Sequence, residues 1–156
     1  MKLRNVCFLF ILLFFFCASA SFTGAQSKPN VSGSWKMNAA KSKFERGGPK
    51  NISIKFEQQE ATLGETLMLS NERGDQTHNL NYTLDGKQSA QSLGGLEVKA
   101  SAKWEGASLL IEFKNDEGFS FVRKFTLSAD GKTMTMDVKQ TSPNGTTTDI
   151  VILDKQ

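Results

Sequence analysis

The chain has 156 residues, 19 Lys and Arg against 16 Asp and Glu, and 38% hydrophobic residues, material for one domain of ordinary charge. Lys2 and Arg4 lie in a leader that also holds both cysteines, Cys7 and Cys17, so the chain after Ala20 is close to neutral and has no thiol. Disulfides, thiolate nucleophiles and cysteine-held metals are excluded there, and so is the clustered positive charge that nucleic acid or an anionic membrane requires.

In chain order, the first element is a leader over residues 1–20. Two basic residues precede the apolar run Val6 to Ala18, and Ala18-Ser19-Ala20 supplies the small residues of a signal-peptidase site. The run is shorter than the about 20 helical residues that cross a bilayer core, so a cleaved secretory signal peptide is expected, with no integral membrane segment after processing. Phe16 before Cys17 argues against a lipid anchor, and Thr23-Gly24-Ala25 offers a second cut. Residues 21–30 read as a flexible tether. The expected location is secreted or periplasmic, and the missing cysteines lean toward a bacterial exterior. Four Asn-x-Ser/Thr triplets, at Asn30, Asn51, Asn81 and Asn144, are also what a chain rich in these residues produces by chance.

From Val31 to Gln156 the pattern has period two, the spacing that puts alternate side chains on one face of a strand. Ile52, Ile54 and Phe56 alternate with Ser53, Lys55 and Glu57, and Leu96, Val98, Ala100, Ala102 and Trp104 alternate with polar residues. The later runs are Leu109, Ile111 and Phe113; Phe119, Phe121, Phe125 and Leu127; Met134, Met136 and Val138; and Ile150 with Ile152. Strands are expected near residues 31–37, 51–58, 62–71, 76–84, 87–93, 96–104, 108–115, 118–128, 132–141 and 146–154. Asp85-Gly86, Gly94-Gly95, Glu105-Gly106, Glu117-Gly118, Asp130-Gly131 and Asn144-Gly145 mark the hairpin corners. Asn38 to Phe44 has room for one short helical turn. The expected fold is all-β: an antiparallel up-and-down meander of eight to ten strands, closed into a barrel that removes its open edges. A two-sheet sandwich satisfies the same alternation.

Gly33-Ser34-Trp35-Lys36-Met37 on the first strand resembles the Gly-x-Trp opening of the calycin group, lipocalins and fatty-acid-binding proteins. Lys103-Trp104-Glu105-Gly106 and Asp130-Gly131-Lys132-Thr133-Met134 are similar to the late hairpins of the latter, and Ser34 to Phe44 resembles the opening of exported bacterial lipocalin-like proteins. The resemblance implies a lipocalin-like barrel with Trp35 at its closed end. Two features of fatty-acid-binding proteins are missing. Asn38 to Lys50 is too short for their helical lid, and Val151 and Leu153 stand where their carboxylate-clamping Arg-x-Tyr pair falls.

The candidate site residues are those whose register turns them inward. Arg123 shares parity with Phe121 and Phe125 and needs a partner, because a buried unpaired guanidinium is costly; it reads as an anchor for an acidic ligand, as a structural arginine stacked on Trp35, or as a side chain turned outward at a bulge. Tyr82 and His78 share parity with Leu80 and Leu84; they would orient a ligand, or else serve as core packing and as a rim or surface histidine, while the acidic residues read as solvated. Phe113, Phe121, Phe125, Met134 and Met136 form an adaptable lining that suits either a variable apolar guest or a packed core. No Gly-x-Ser-x-Gly elbow, carboxylate dyad or set of metal ligands accompanies the lone His78, so neither an enzyme nor a cofactor is expected. The function implied is an exported binding protein that holds a small hydrophobic or amphipathic ligand inside the barrel. The alternative is a filled barrel that binds a macromolecule, a protease or an envelope component, through its loops or outer face.

Overall fold

The structure, a computed structural model, describes residues 28–156. The leader and residues 21–27 of the tether lie outside the described residues. Ten strands follow: β1 (Gly33–Met37), β2 (Asn51–Gln58), β3 (Thr62–Asn71), β4 (Gly74–Thr83), β5 (Ser89–Leu93), β6 (Leu96–Glu105), β7 (Ser108–Lys114), β8 (Ser120–Leu127), β9 (Thr133–Ser142) and β10 (Gly145–Lys155). They form one antiparallel sheet in the order β4-β3-β2-β1-β10-β9-β8-β7-β6-β5. Each strand lies beside its neighbour in sequence, and β1 meets β10 through Trp35 opposite Lys155 and Met37 opposite Leu153. The glycines expected at the corners all have positive φ, Gly106 at 60° among them. Such conformations suit tight hairpins and disfavour side chains with a Cβ.

The wrap is a nearly closed barrel, the antiparallel meander that the alternation predicts. β4 and β5 are the two ends of the sheet, and what spans them is a side chain: the Gln91 amide donates to the Asn81 carbonyl at 2.7 Å. β4 instead passes on to β6, where the Gly86 N–H donates to the Ala102 carbonyl at 3.0 Å. β5 is only five residues long, Ser89–Leu93, and its backbone ladder is made with β6.

Alternation fills the interior as the side-chain period requires. Trp35 is buried, and its indole N–H donates to the Val31 carbonyl at 2.9 Å, while the Lys155 ammonium lies 5.3 Å from its ring centroid. Gly33 makes this possible. A Cβ there would come within 3.2 Å of the Lys155 side chain, and its φ of +126° is one that side-chain-bearing residues rarely adopt. On β10 the inward pair is Val151 and Leu153, both fully buried, whereas Ile150 is 40% exposed. The expected Ile150–Ile152 face is therefore inverted: the register of β10 sets Val151 and Leu153 beside the buried Met136 and Met134, and Ile150 and Ile152 beside Asp137 and Thr135. Among the described residues there is no helix. Asn38 to Ser42 makes one hydrogen-bonded turn, with the Ser42 N–H on the Asn38 carbonyl at 3.1 Å, before Lys43 rejoins the sheet.

Candidate functional site

The antiparallel order gathers alternate turns at opposite ends of the barrel, and the two ends are filled differently. Toward the turns that follow β2, β6 and β8, Trp35, Phe56, Leu63, Leu109, Phe125, Met134 and Leu153 pack without solvent exposure. Phe56 and Phe125 meet there edge to face at 5.3 Å, an arrangement that favours aromatic pairs beyond their burial. Toward the other end lies a cavity of about 640 Å³. Ile52, Leu67, Leu69, Phe121, Met136, Val138 and Val151 supply apolar walls, and Phe44, Gly48, Pro49, Leu93 and Leu96 its rim. The Phe44 ring occupies the place where a Cβ on Gly48 would fall, so that glycine seats the aromatic at the rim.

Between the packed half and the cavity lies an ion pair. Glu65 on β3 and Arg123 on β8 come from opposite parts of the wrap and are 2% and 1% exposed. Both terminal guanidinium nitrogens of Arg123 donate to the carboxylate, at 2.6 and 2.7 Å, in the paired geometry that makes such contacts strong. The Tyr82 hydroxyl donates to the same carboxylate at 2.9 Å. Phe113 and Phe125 flank the guanidinium at 5.0 and 5.4 Å from their ring centroids, and Phe121 at 6.0 Å. Arg123 Nε is buried without a hydrogen-bond partner among the described residues.

This geometry corrects two expectations. Arg123 points inward as its register requires, but it does not stack on Trp35; Lys155 takes that place. The acidic residues are not all solvated, because Glu65 is the partner Arg123 needed. Its signal was present: Leu63, Glu65, Leu67 and Leu69 share one parity on β3. Of the other expected site residues, His78, Phe121, Met136 and Arg123 line the cavity. Tyr82, Phe113 and Phe125 lie around the ion pair rather than along the cavity wall, and Met134 belongs to the packed half. Among the described residues no group of three metal-ligating side chains gathers.

The electrostatics of the trio follow from its isolation. Burial acts against the Arg123 charge, but the Glu65 carboxylate outweighs it and holds the guanidinium above its ordinary range. Burial, then the adjacent Glu65 charge, pushes the Tyr82 phenol well above its usual value near 10. Tyr82 is the chain's single tyrosine, so its ionisation is directly readable. Absorbance at the phenolate band is expected to stay flat past about pH 11 in the folded protein and to rise only as the protein unfolds. The folded value is raised above the unfolded one of about 10, so this contribution to stability is complete below that pH and is lost as the pH climbs beyond it. A reversible phenolate signal centred near pH 10 with the fold intact would show that Tyr82 is hydrated.

No family model matches the chain, and no curated protein does. Solved structures match over nearly the whole described region. The SAHS protein of Ramazzottius varieornatus superposes with a TM-score of 0.66 at 12% identity, over 83% of this chain and 98% of that one. The REP1-NXSQ fatty acid transporter gives 0.62 at 12% identity, over 81% and 96%. Zebrafish ileal bile acid-binding protein, solved with cholic acid, gives 0.57 at 15% identity, over 80% and 98%. The likeness is one of fold, a lipocalin-like β-barrel. Its particular form among the described residues is a ten-stranded wrap with an ion pair across its middle.

Proposed function

We propose that this protein is an exported binding protein that takes one small hydrophobic or amphipathic molecule into the open half of its barrel. The observation that carries the reading is the cavity of about 640 Å³, walled by Leu67, Leu69, Phe121, Met136 and Val138 above an ion-paired floor. Its size and apolar lining with few polar groups are typical of ligand sites. Burying ligand surface at roughly 25 cal/mol per Å² supplies the affinity. Two barrels of the same fold, a fatty acid transporter and a bile acid-binding protein, carry small amphipathic molecules in their names, which supports the reading by analogy. A filled barrel acting through its outer surface would have no use for this space. Export rests on the leader alone, and sequencing the N-terminus of the secreted protein, expected at Ser21 or Gln26, tests it; a start at Met1 would contradict it.

The uncharged dye Nile red tests the binding reading. Purified protein is expected to take it up saturably, one molecule per chain, with a blue-shifted emission, and to release it to an apolar competitor. Emission that rises without saturation, or not at all, would contradict a discrete site.

A further inference from the structure

We propose that the ligand is electrically neutral and carries a hydrogen-bond-accepting oxygen, as an alcohol, ester or ketone does, and is not a free acid. This rests on the binding reading above and specifies the chemistry of the same cavity. Among the described residues Arg123 is the one cationic side chain of fixed charge along the cavity, and both of its terminal nitrogens are committed to Glu65 at 2.6 and 2.7 Å. The floor is thus neutral as a unit. The other charged group on the wall is Asp149, an acid. A carboxylate entering the cavity would lose its water and find no free positive charge, only the field of an existing pair and a like charge at the rim. An ammonium group fares no better at the floor, because the Glu65 oxygens already accept three hydrogen bonds from Arg123 and Tyr82.

The floor also holds an unpartnered donor. Arg123 Nε lies in a residue that is 1% exposed and has no partner among the described residues, and a buried donor left unpaired costs about 1–3 kcal/mol. A single acceptor oxygen satisfies it without bringing charge. The remaining polar groups on the wall, Gln76, Gln140, Asn71 and His78, belong to side chains whose dipoles accommodate neutral polar substituents nearer the mouth. The cavity therefore selects a long apolar body with one neutral oxygen at its deep end.

The experiment displaces Nile red from the folded protein with 1-decanol, decanoate or decane, and follows the Arg123 Nε–H resonance by NMR. At about pH 8, 1-decanol is expected to displace the dye at least about tenfold more effectively than decanoate. It should also shift the Nε–H signal, which decane should leave in place. As the pH falls through the carboxyl range of about 4 to 5, decanoic acid should become neutral and approach the alcohol. In Glu65→Gln, which frees the guanidinium, the preference should turn toward decanoate. If that variant does not fold, the pH series on the wild type decides alone. Decanoate as effective as decanol at about pH 8 would overturn neutrality while leaving the binding reading intact. Nile red that never binds, or that no competitor displaces, would overturn the binding reading and this inference with it.

Discussion

Replacing Arg123 with methionine while Glu65 stays in place is expected to cost about 3–5 kcal/mol of folding free energy. Methionine fills a similar volume among Phe113, Phe121 and Phe125, so the loss does not come from a void. It comes from the carboxylate, which would stay 2% exposed with only the Tyr82 hydroxyl donating to it. Domains of this size have about 5–15 kcal/mol in total, so the variant should be marginal. The double replacement Glu65→Leu with Arg123→Met removes both charges and their desolvation, and is expected to return to within about 2 kcal/mol of the wild type or to exceed it. Urea denaturation of the three proteins provides the comparison. A single variant that loses less than about 1 kcal/mol would mean that water reaches the pair.

The second large effect concerns the cavity. Val138 lies on β9 directly opposite Arg123 in the ladder, and its side chain is both 5% exposed and part of the cavity wall. Val138→Trp projects an indole into the open space above the ion pair. If it displaces about 100 Å² of ligand surface, the lost burial is about 2.5 kcal/mol, close to a hundredfold in affinity. The fold should survive, since the added atoms occupy empty volume instead of displacing packed neighbours. A matched change in the packed half, Met134→Leu, is expected to leave Nile red affinity within about twofold, because Met134 is completely buried away from the wall. Equal dye affinity in Val138→Trp and the wild type would place the dye somewhere else.

Most of the fold is legible in the sequence because it is local chemistry repeated: alternation fixes the strands and glycine pairs fix the corners. Legibility fails where the pattern lacks contrast. Ile150-Val151-Ile152-Leu153 is apolar at every position, so nothing in it says which pair faces in; the register with β9, which sets Val151 opposite Met136 and Leu153 opposite Met134, decides. How β4 meets β5 is hidden for a similar reason, since the polar β5 alternates weakly and is joined to β4 through Gln91. At the site, the register turns Arg123 inward, but its partner sits 58 residues earlier in the chain. A single glutamate in an alternating strand looks like a solvated residue until an arginine is known to face it. Parity also gives a side chain's face but not its height along the barrel axis. That is why Met134 and Met136, two residues apart on β9, end in different halves.

This difference in height provides the most direct test. With methyl-labelled methionine and bound Nile red, NMR reports separately on Met136 in the cavity wall, Met134 in the packed half, and Met68, which is 44% exposed on the outer face. The account predicts nuclear Overhauser contacts from the dye to the Met136 methyl group, and none to Met134 or Met68. Contacts to Met68 with Met136 unaffected would place binding on the outside of the barrel and contradict a ligand-holding interior.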